Sequence, residues 1–204
     1  MLALVSGTTK TIKRVAANGL QNVGHLLTPK SGNSIASILE SGLPWACDNG
    51  AFSGFDATEF EAFLVKISGY RSLFVACPDV VEDARATINR FAEWNDKVKS
   101  TGHPVAFVLQ DGQENFELPA ADAYFIGGST EFKLSETAMG LVSECKRQGA
   151  WIHMGRVNSL RRIDIAVEMG CDSFDGGSMS MFGDMYVEKF CRRARLTKPQ
   201  ARAW

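Results

Sequence analysis

The chain has 204 residues, of which 45% are apolar and 22% charged, enough for one well-buried core and too few for two ordinary enzyme domains. A formal net charge of -1 excludes a global basic field, so a nucleic-acid partner would have to meet a local patch. The opening MLALVSGTTK is too sparsely apolar for a signal peptide, and no stretch approaches the roughly 18 apolar residues of a membrane span, so the sequence reads as a cytoplasmic protein with no membrane partner.

In chain order, short apolar runs recur at 2–6 (LALVS), 23–27 (VGHLL), 44–47 (PWAC), 72–77 (SLFVAC), 104–110 (PVAFVLQ), 123–128 (AYFIGG), 151–155 (WIHMG) and 172–177 (DSFDGG). Between most of them lie segments with helical spacing, each closing on or beside a glycine: ATEFEAFLVKISGY, DARATINRFAEWNDKVKSTG, LSETAMGLVSECKRQG and LRRIDIAVEMG. Near-continuous apolar strands alternating with helices point to a parallel sheet buried on both faces. Eight such units without a linker predict an α/β fold, a single compact (β/α)8 TIM-like barrel over 1–204 with a basic tail at 192–204. An open doubly wound sheet competes, because PWAC is short and only QENFELPAAD stands where a helix should follow PVAFVLQ. Cys47, Cys77, Cys145, Cys171 and Cys191 are widely spaced and odd in number, as expected of reduced core thiols.

Ligands of parallel α/β folds bind at the carboxyl ends of the strands. Those ends carry Asp48, Asp79, Gln110 with Asp111, Gly127 with Gly128, His153 with Met154, and Asp175. Carboxylates converging on one mouth raise one another's pKa, which suits acid, base and nucleophile chemistry. Taken singly, Asp48, Asp79 and Asp175 read equally well as helix N-caps; taken together, a functional mouth is the stronger reading. His25, His103 and His153 are too scattered for a metal site, His153 reads as a core histidine, and no motif implies a cofactor.

From about Trp45 to Met185 the chain resembles the queuine and archaeosine tRNA-guanine transglycosylases, and more closely their small phage-type relatives that place 7-deazaguanines in DNA. DNGAF (48–52) is similar to D-S-G-G-F, VLQDG (108–112) to V-Q-G, IGGS (126–129) to I-G-G-L, HMG (153–155) to L-M-G, and SFDGG (173–177) to F-D-C. The resemblance implies Asp175 as nucleophile, Asp48 as general base, Asp79 and Gln110 as readers of the purine edge, Gly127 and Gly128 as backbone lining of the base pocket, and Met154 as its stacking surface. Phe52 and Phe125 are further stacking candidates. The family's cysteine and histidine zinc cluster has no counterpart here: after Asp175 only Cys191 follows, with no histidine, and GSMSMFGDM replaces the family's arginine pair. Both departures move the expected polymer from tRNA to DNA, with a 7-deazaguanine base as the small-molecule substrate.

The expected reaction is base exchange through a covalent aspartyl-sugar ester. Phosphate contacts are expected from Lys10, Lys13 and Arg14, from Arg156, Arg161 and Arg162, and from the tail beginning at Arg192 and Arg193. Three alternatives stay open at this point: a tRNA-guanine transglycosylase, an N-glycosidase or nucleosidase, and a phosphate-sugar-binding barrel enzyme whose glycine turns cradle phosphate. The small size leaves room for a second copy of the chain or a partner subunit.

Overall fold

Runs of two to five residues are too short to stand alone as a sheet. In the computed structural model, which describes residues 1–7 and 9–195, they pair side by side as eight parallel strands. These are β1 (Leu2–Val5), β2 (Val23–Leu27), β3 (Trp45–Cys47), β4 (Val75–Ala76), β5 (Val105–Leu109), β6 (Ala123–Ile126), β7 (Trp151–Met154) and β8 (Ser173–Asp175). Each pairs with the next, and β1 meets β8 with Leu2 opposite Ser173, Ala3 opposite Phe174 and Leu4 opposite Asp175. The sheet is therefore a closed barrel and not the open alternative, and closure leaves no strand edge unpaired.

The helices around it are α1 (Thr9–Ala17), α2 (Ile35–Leu39), α3 (Ala57–Ile67), α4 (Ala84–Lys99), α5 (Thr130–Lys133), α6 (Glu136–Arg147), α7 (Leu160–Glu168), α8 (Gly177–Phe182) and α9 (Asp184–Arg195). Side-chain caps fix where several begin. Asp56 accepts from the Glu59 N–H at 2.9 Å for α3, Asp83 from the Ala86 N–H at 2.9 Å for α4, and Ser159 from the Arg162 N–H at 3.3 Å for α7. Between β5 and β6 only a 3-10 turn, Gln113–Asn115, replaces the helix. The barrel closes there regardless, because β5 and β6 pair directly from Ala106 opposite Ala123 to Leu109 opposite Ile126. The basic tail is described as far as Arg195; residues 196–204 lie outside the described residues.

Alternation along the strands sorts the apolar residues into two layers. Ala46, Phe74, Ala76, Ala106, Val108, Ala123 and Phe125 belong to an inner cluster of residues on the strands or, for Phe74, directly before one. Their neighbours Cys47, Val75, Phe107, Leu109, Tyr124 and Ile126 join the helices in an outer cluster that includes Phe60, Phe91, Trp94 and all five free, buried cysteines. Phe60 is fully buried and packs edge-on against Phe55 and Trp94, with ring centroids 5.8 and 5.4 Å away. Phe60→Ala is expected to cost about 3–5 kcal/mol, measured by urea denaturation; a loss below about 1 kcal/mol would mean that this layer does not hold α3 on the barrel.

Candidate active site

The two-residue period that fills the barrel also builds its mouth. Two residues beyond the inner-layer Ala46, Val108 and Phe125 stand Asp48, Gln110 and Gly127, and two beyond Ser173 stands Asp175. They line a cleft with about 470 Å³ of open space, together with Asp79, Gly128, Phe52, Phe125, Lys133 and Arg156. A second cleft of about 510 Å³ lies across the loop after β3, walled by Thr28, Pro29, Lys30 and Glu59, and shares Asp48, Asn49 and Phe52 with the first.

None of the three strand-end aspartates caps a helix; the caps nearby are Asp56 and Asp83. Asp48 accepts a hydrogen bond from the Gly50 N–H at 3.2 Å. Burial, and then the negative charge of Asp175, push its carboxyl up to about 7. Asp79 is 7% exposed, and burial raises its pKa while the hydrogen bond from Asn49 and the charges of Arg90 and Arg156 pull it partly back. Its oxygens are shared between Asn49 Nδ2 at 2.7 Å and Gln110 Nε2 at 2.6 Å. Gln110 Oε1 accepts from the Glu82 N–H at 2.9 Å, so the amide is locked in orientation and keeps one Nε2 hydrogen uncommitted among the described residues.

Asp175 is held from one side only. Trp151 Nε1–H donates to Ser173 Oγ at 2.8 Å, and the same hydroxyl is in hydrogen-bond contact with His153 Nδ1 at 2.8 Å. An ionised carboxylate can only accept, so His153 Nε2 is the donor to Asp175 Oδ1 at 3.0 Å. The Arg156 N–H donates to the same oxygen at 3.2 Å. Among the described residues no hydrogen bond reaches Asp175 Oδ2. His153 is fully buried between Phe125 and Phe74, with ring centroids 4.5 and 5.3 Å away. The core-histidine expectation is thus correct for its burial and incomplete in its contacts.

Gly127 and Gly128 sit where expected. Gly128 has a φ of 71°, and a side chain on it would strike the Asp111 carboxylate. Asp111 is spent on this turn, accepting from the Ser129 N–H at 2.7 Å and the Ser129 hydroxyl at 2.5 Å. Phe52 is 70% exposed at the rim, and the Arg156 guanidinium lies 4.4 Å from its ring centre.

Three expectations need correction. Met154 follows the outward parity of Ile152 and lies buried in the outer layer, so it offers no surface to this cleft; Phe125 lines it instead. Arg192 and Arg193 lie toward the other end of the barrel. The adjacent Cys191 carbonyl accepts from Asn22 Nδ2 at 2.9 Å, just before β2 begins, and Arg193 is engaged by Asp164 at 2.6 Å. Arg14 of the N-terminal basic group is likewise paired, with Asp184 at 2.9 Å. Arg161 and Arg162, in the first turn of α7, stay on the mouth side, and Arg162 braces the Arg156 carbonyl at 3.1 Å.

Sequence reasoning missed two residues of the cleft. Asn49 is a buried strut between Asp79 and the Cys77 carbonyl, the latter at 2.6 Å. Lys133, 3% exposed, points its ammonium at the Gly128 carbonyl at 3.1 Å. Nothing in EFKLS marks that lysine, since its burial depends on α5 being only Thr130–Lys133 long. Among the described residues no group of three or more His, Cys, Asp or Glu is arranged to hold a metal ion, and no helix is long and apolar enough to cross a membrane.

Because Asp48 titrates higher in the folded than in the unfolded chain, the folded state holds more protons between about pH 4 and 7, and this group's contribution to stability falls as pH rises through that window. Asp48→Asn should therefore be more stable than wild type at pH 8, by about 2 kcal/mol, with the gap closing near pH 4. Denaturant titrations at the two pH values check this; equal stability at pH 8 would refute the desolvated carboxylate. No protein-family model and no curated protein matches the chain.

Proposed function

We propose that the protein is a base-exchange glycosyltransferase that replaces guanine in DNA with a 7-deazaguanine derivative through a covalent aspartyl-sugar intermediate. The observation that carries this reading is the unequal pair of carboxylates in one cleft. Asp175 has one oxygen fixed by His153 and Arg156 and the other open, and Asp48 is held near pH 7 by burial and by Asp175. One is prepared to attack and the other to carry a proton.

In the first half-reaction Asp175 Oδ2 bonds to the anomeric carbon while the bond from that carbon to the guanine nitrogen breaks. The electron pair leaves with the base, which takes the proton held by Asp48. In the second half the incoming base gives its proton to the Asp48 carboxylate, its nitrogen attacks the anomeric carbon, and Asp175 departs as a carboxylate. A group with a pKa near 7 serves equally in both directions.

Asp79 and Gln110 supply the selectivity. The acceptor oxygens of Asp79 beside the uncommitted Gln110 N–H match the two donors and one acceptor on the edge of guanine and of its 7-deaza analogues. The nucleotide has to leave its stack to reach the cleft, at a cost of roughly a few kcal/mol. Exposed Phe52, backed by Arg156, offers a ring at the entrance. DNA is preferred over tRNA on the sequence departures described above, and a hydrolase using the same carboxylates differs only in its acceptor.

The test is incorporation of labelled guanine into duplex DNA, single-stranded DNA and tRNA in parallel, beside a denaturing gel for a protein–nucleic acid adduct. Wild type should incorporate label into DNA and form the adduct. Asp175→Ala should abolish both, a loss of about 10³-fold or more, and Asp48→Asn should slow exchange by about 10²-fold or more. Label entering tRNA alone would overturn the DNA assignment, and base release without incorporation would make the protein a glycosidase. His153→Gln should lower kcat with little change in KM, and the slow variant should keep the wild-type fold. A loss confined to KM would remove His153 as the positioning residue for Asp175.

A further inference from the structure

Lys133 is an anomaly in the wall of the cleft. An ammonium has three hydrogens to donate, and this one, on a residue 3% exposed, has a single acceptor among the described residues, the Gly128 carbonyl at 3.1 Å. Arg156 Nη2 converges on the same carbonyl, and Arg162 stands behind it on the Arg156 carbonyl and on Thr130 Oγ1 at 3.3 Å. Among the described residues none of these three cations has a carboxylate partner within 4.0 Å. The two nearby acids form no ion pair with these cations. Asp111 clamps Ser129, and the bonded oxygen of Asp175 faces His153 and the Arg156 backbone. Clustered positive charge with unspent donors at the edge of a cleft favours an anion.

We propose that Lys133 and Arg156 form an oxyanion subsite beside Asp175 that receives a phosphate group of the substrate, so that the enzyme acts on nucleotides and discriminates against the bare nucleoside. The identity of the oxyanion as a nucleotide phosphate rests on the glycosyl-transfer reading; the subsite itself does not. The guanidinium supplies a planar set of donors and the ammonium a point charge, a pairing suited to the several oxygens of one phosphate. The subsite adjoins the carboxylate proposed to hold the sugar, as the phosphate of the same nucleotide or of its neighbour would require. Binding there also relieves the repulsion among the three cations, which Asp175 and Asp111 offset only in part.

Burial, and then the facing charges of Arg156 and Arg162, lower the pKa of the Lys133 ammonium to about 8, while Asp175 and Asp111, which also face it, oppose that shift. Phosphate affinity should then fall as pH rises past about 8, where the amine loses its proton.

Inorganic phosphate, deoxyguanosine, its 5′-monophosphate and a short single-stranded oligonucleotide are titrated into wild type and Lys133→Met by calorimetry, with melting temperatures taken alongside. Wild type should bind phosphate and the phosphorylated ligands, and Lys133→Met should weaken them by about tenfold or more while leaving deoxyguanosine unchanged. The variant should melt at or above the wild-type temperature, because it removes a buried charge and not a support. A variant that melts well below wild type yet binds phosphate normally would make Lys133 a structural residue. Absence of phosphate binding in wild type, or binding that survives in Lys133→Met, overturns the proposal. The monophosphate and oligonucleotide arms separate a free nucleotide from a polymer phosphate as the source. Lys133-dependent phosphate binding without base exchange on any substrate would leave the subsite standing and remove the glycosyl-transfer reading. Exchange at equal rates on deoxyguanosine and its phosphorylated forms would do the reverse.

Discussion

Every residue of a closed parallel barrel has two directions available to it, toward the axis or toward the helices, and this constraint organises the whole molecule. The inner layer combines Leu4, Leu26 and Val108 with four alanines, Ala46, Ala76, Ala106 and Ala123, that leave room for Phe74 and Phe125. The same parity, carried past the strand ends, delivers Asp48, Gln110, Gly127 and Asp175 to one opening. Neither the core nor the cleft can be re-registered alone, because a one-residue slip would bury the carboxylates among the helices and turn the outer core inward.

The mouth separates its charges. The acids lie on the loops and strand ends of β3, β4 and β8, and burial there drives Asp48 and Asp79 toward the neutral form. The cations gather after β6 and β7, around the Gly128 carbonyl. Asp175 stands at the junction, next to Asp48 in charge and bonded to the backbone of Arg156. This asymmetry distinguishes the two carboxylates: Asp175 is bonded to His153 and the Arg156 backbone on the cationic side, whereas burial raises the pKa of Asp48 on the acidic side.

How much of this was legible in the sequence follows from what each inference required. All eight strands could be read as apolar runs, even WAC, because the neighbouring turns bounded them. Closure over the helix-poor QENFELPAAD segment was favoured by the count of eight units, but only the direct pairing of β5 with β6 establishes it. Asp48, Gln110 and Asp175 were recoverable as strand-terminal polar residues. Parity along WIHM would have assigned His153 inward and Met154 outward, and the motif resemblance obscured that simpler signal. Lys133 and Asn49 were beyond reach, because their roles arise from tertiary contacts that no local pattern marks. The arginines at 192 and 193 failed for a geometric reason: a helix that returns antiparallel to its strand carries its C-terminal charges away from the mouth.

Arg156 shows why the site is built as it is. Its φ of 58° places a non-glycine residue in the left-handed region, at a cost of roughly 1–2 kcal/mol. Its backbone N–H reaches Asp175 in that conformation, and its side chain reaches Gly128 and lies over Phe52. The preceding Gly155 cannot take a larger residue, since a Cβ there would come within 2.5 Å of the Phe125 ring. The turn is therefore fixed from both sides, by a ring that admits no side chain at 155 and by hydrogen bonds that need one at 156. A glycine at 156 would relieve the backbone and keep the N–H, but would lose the guanidinium that links the carboxylate wall to the cationic one. The strain is retained where one residue has to serve both walls of the cleft.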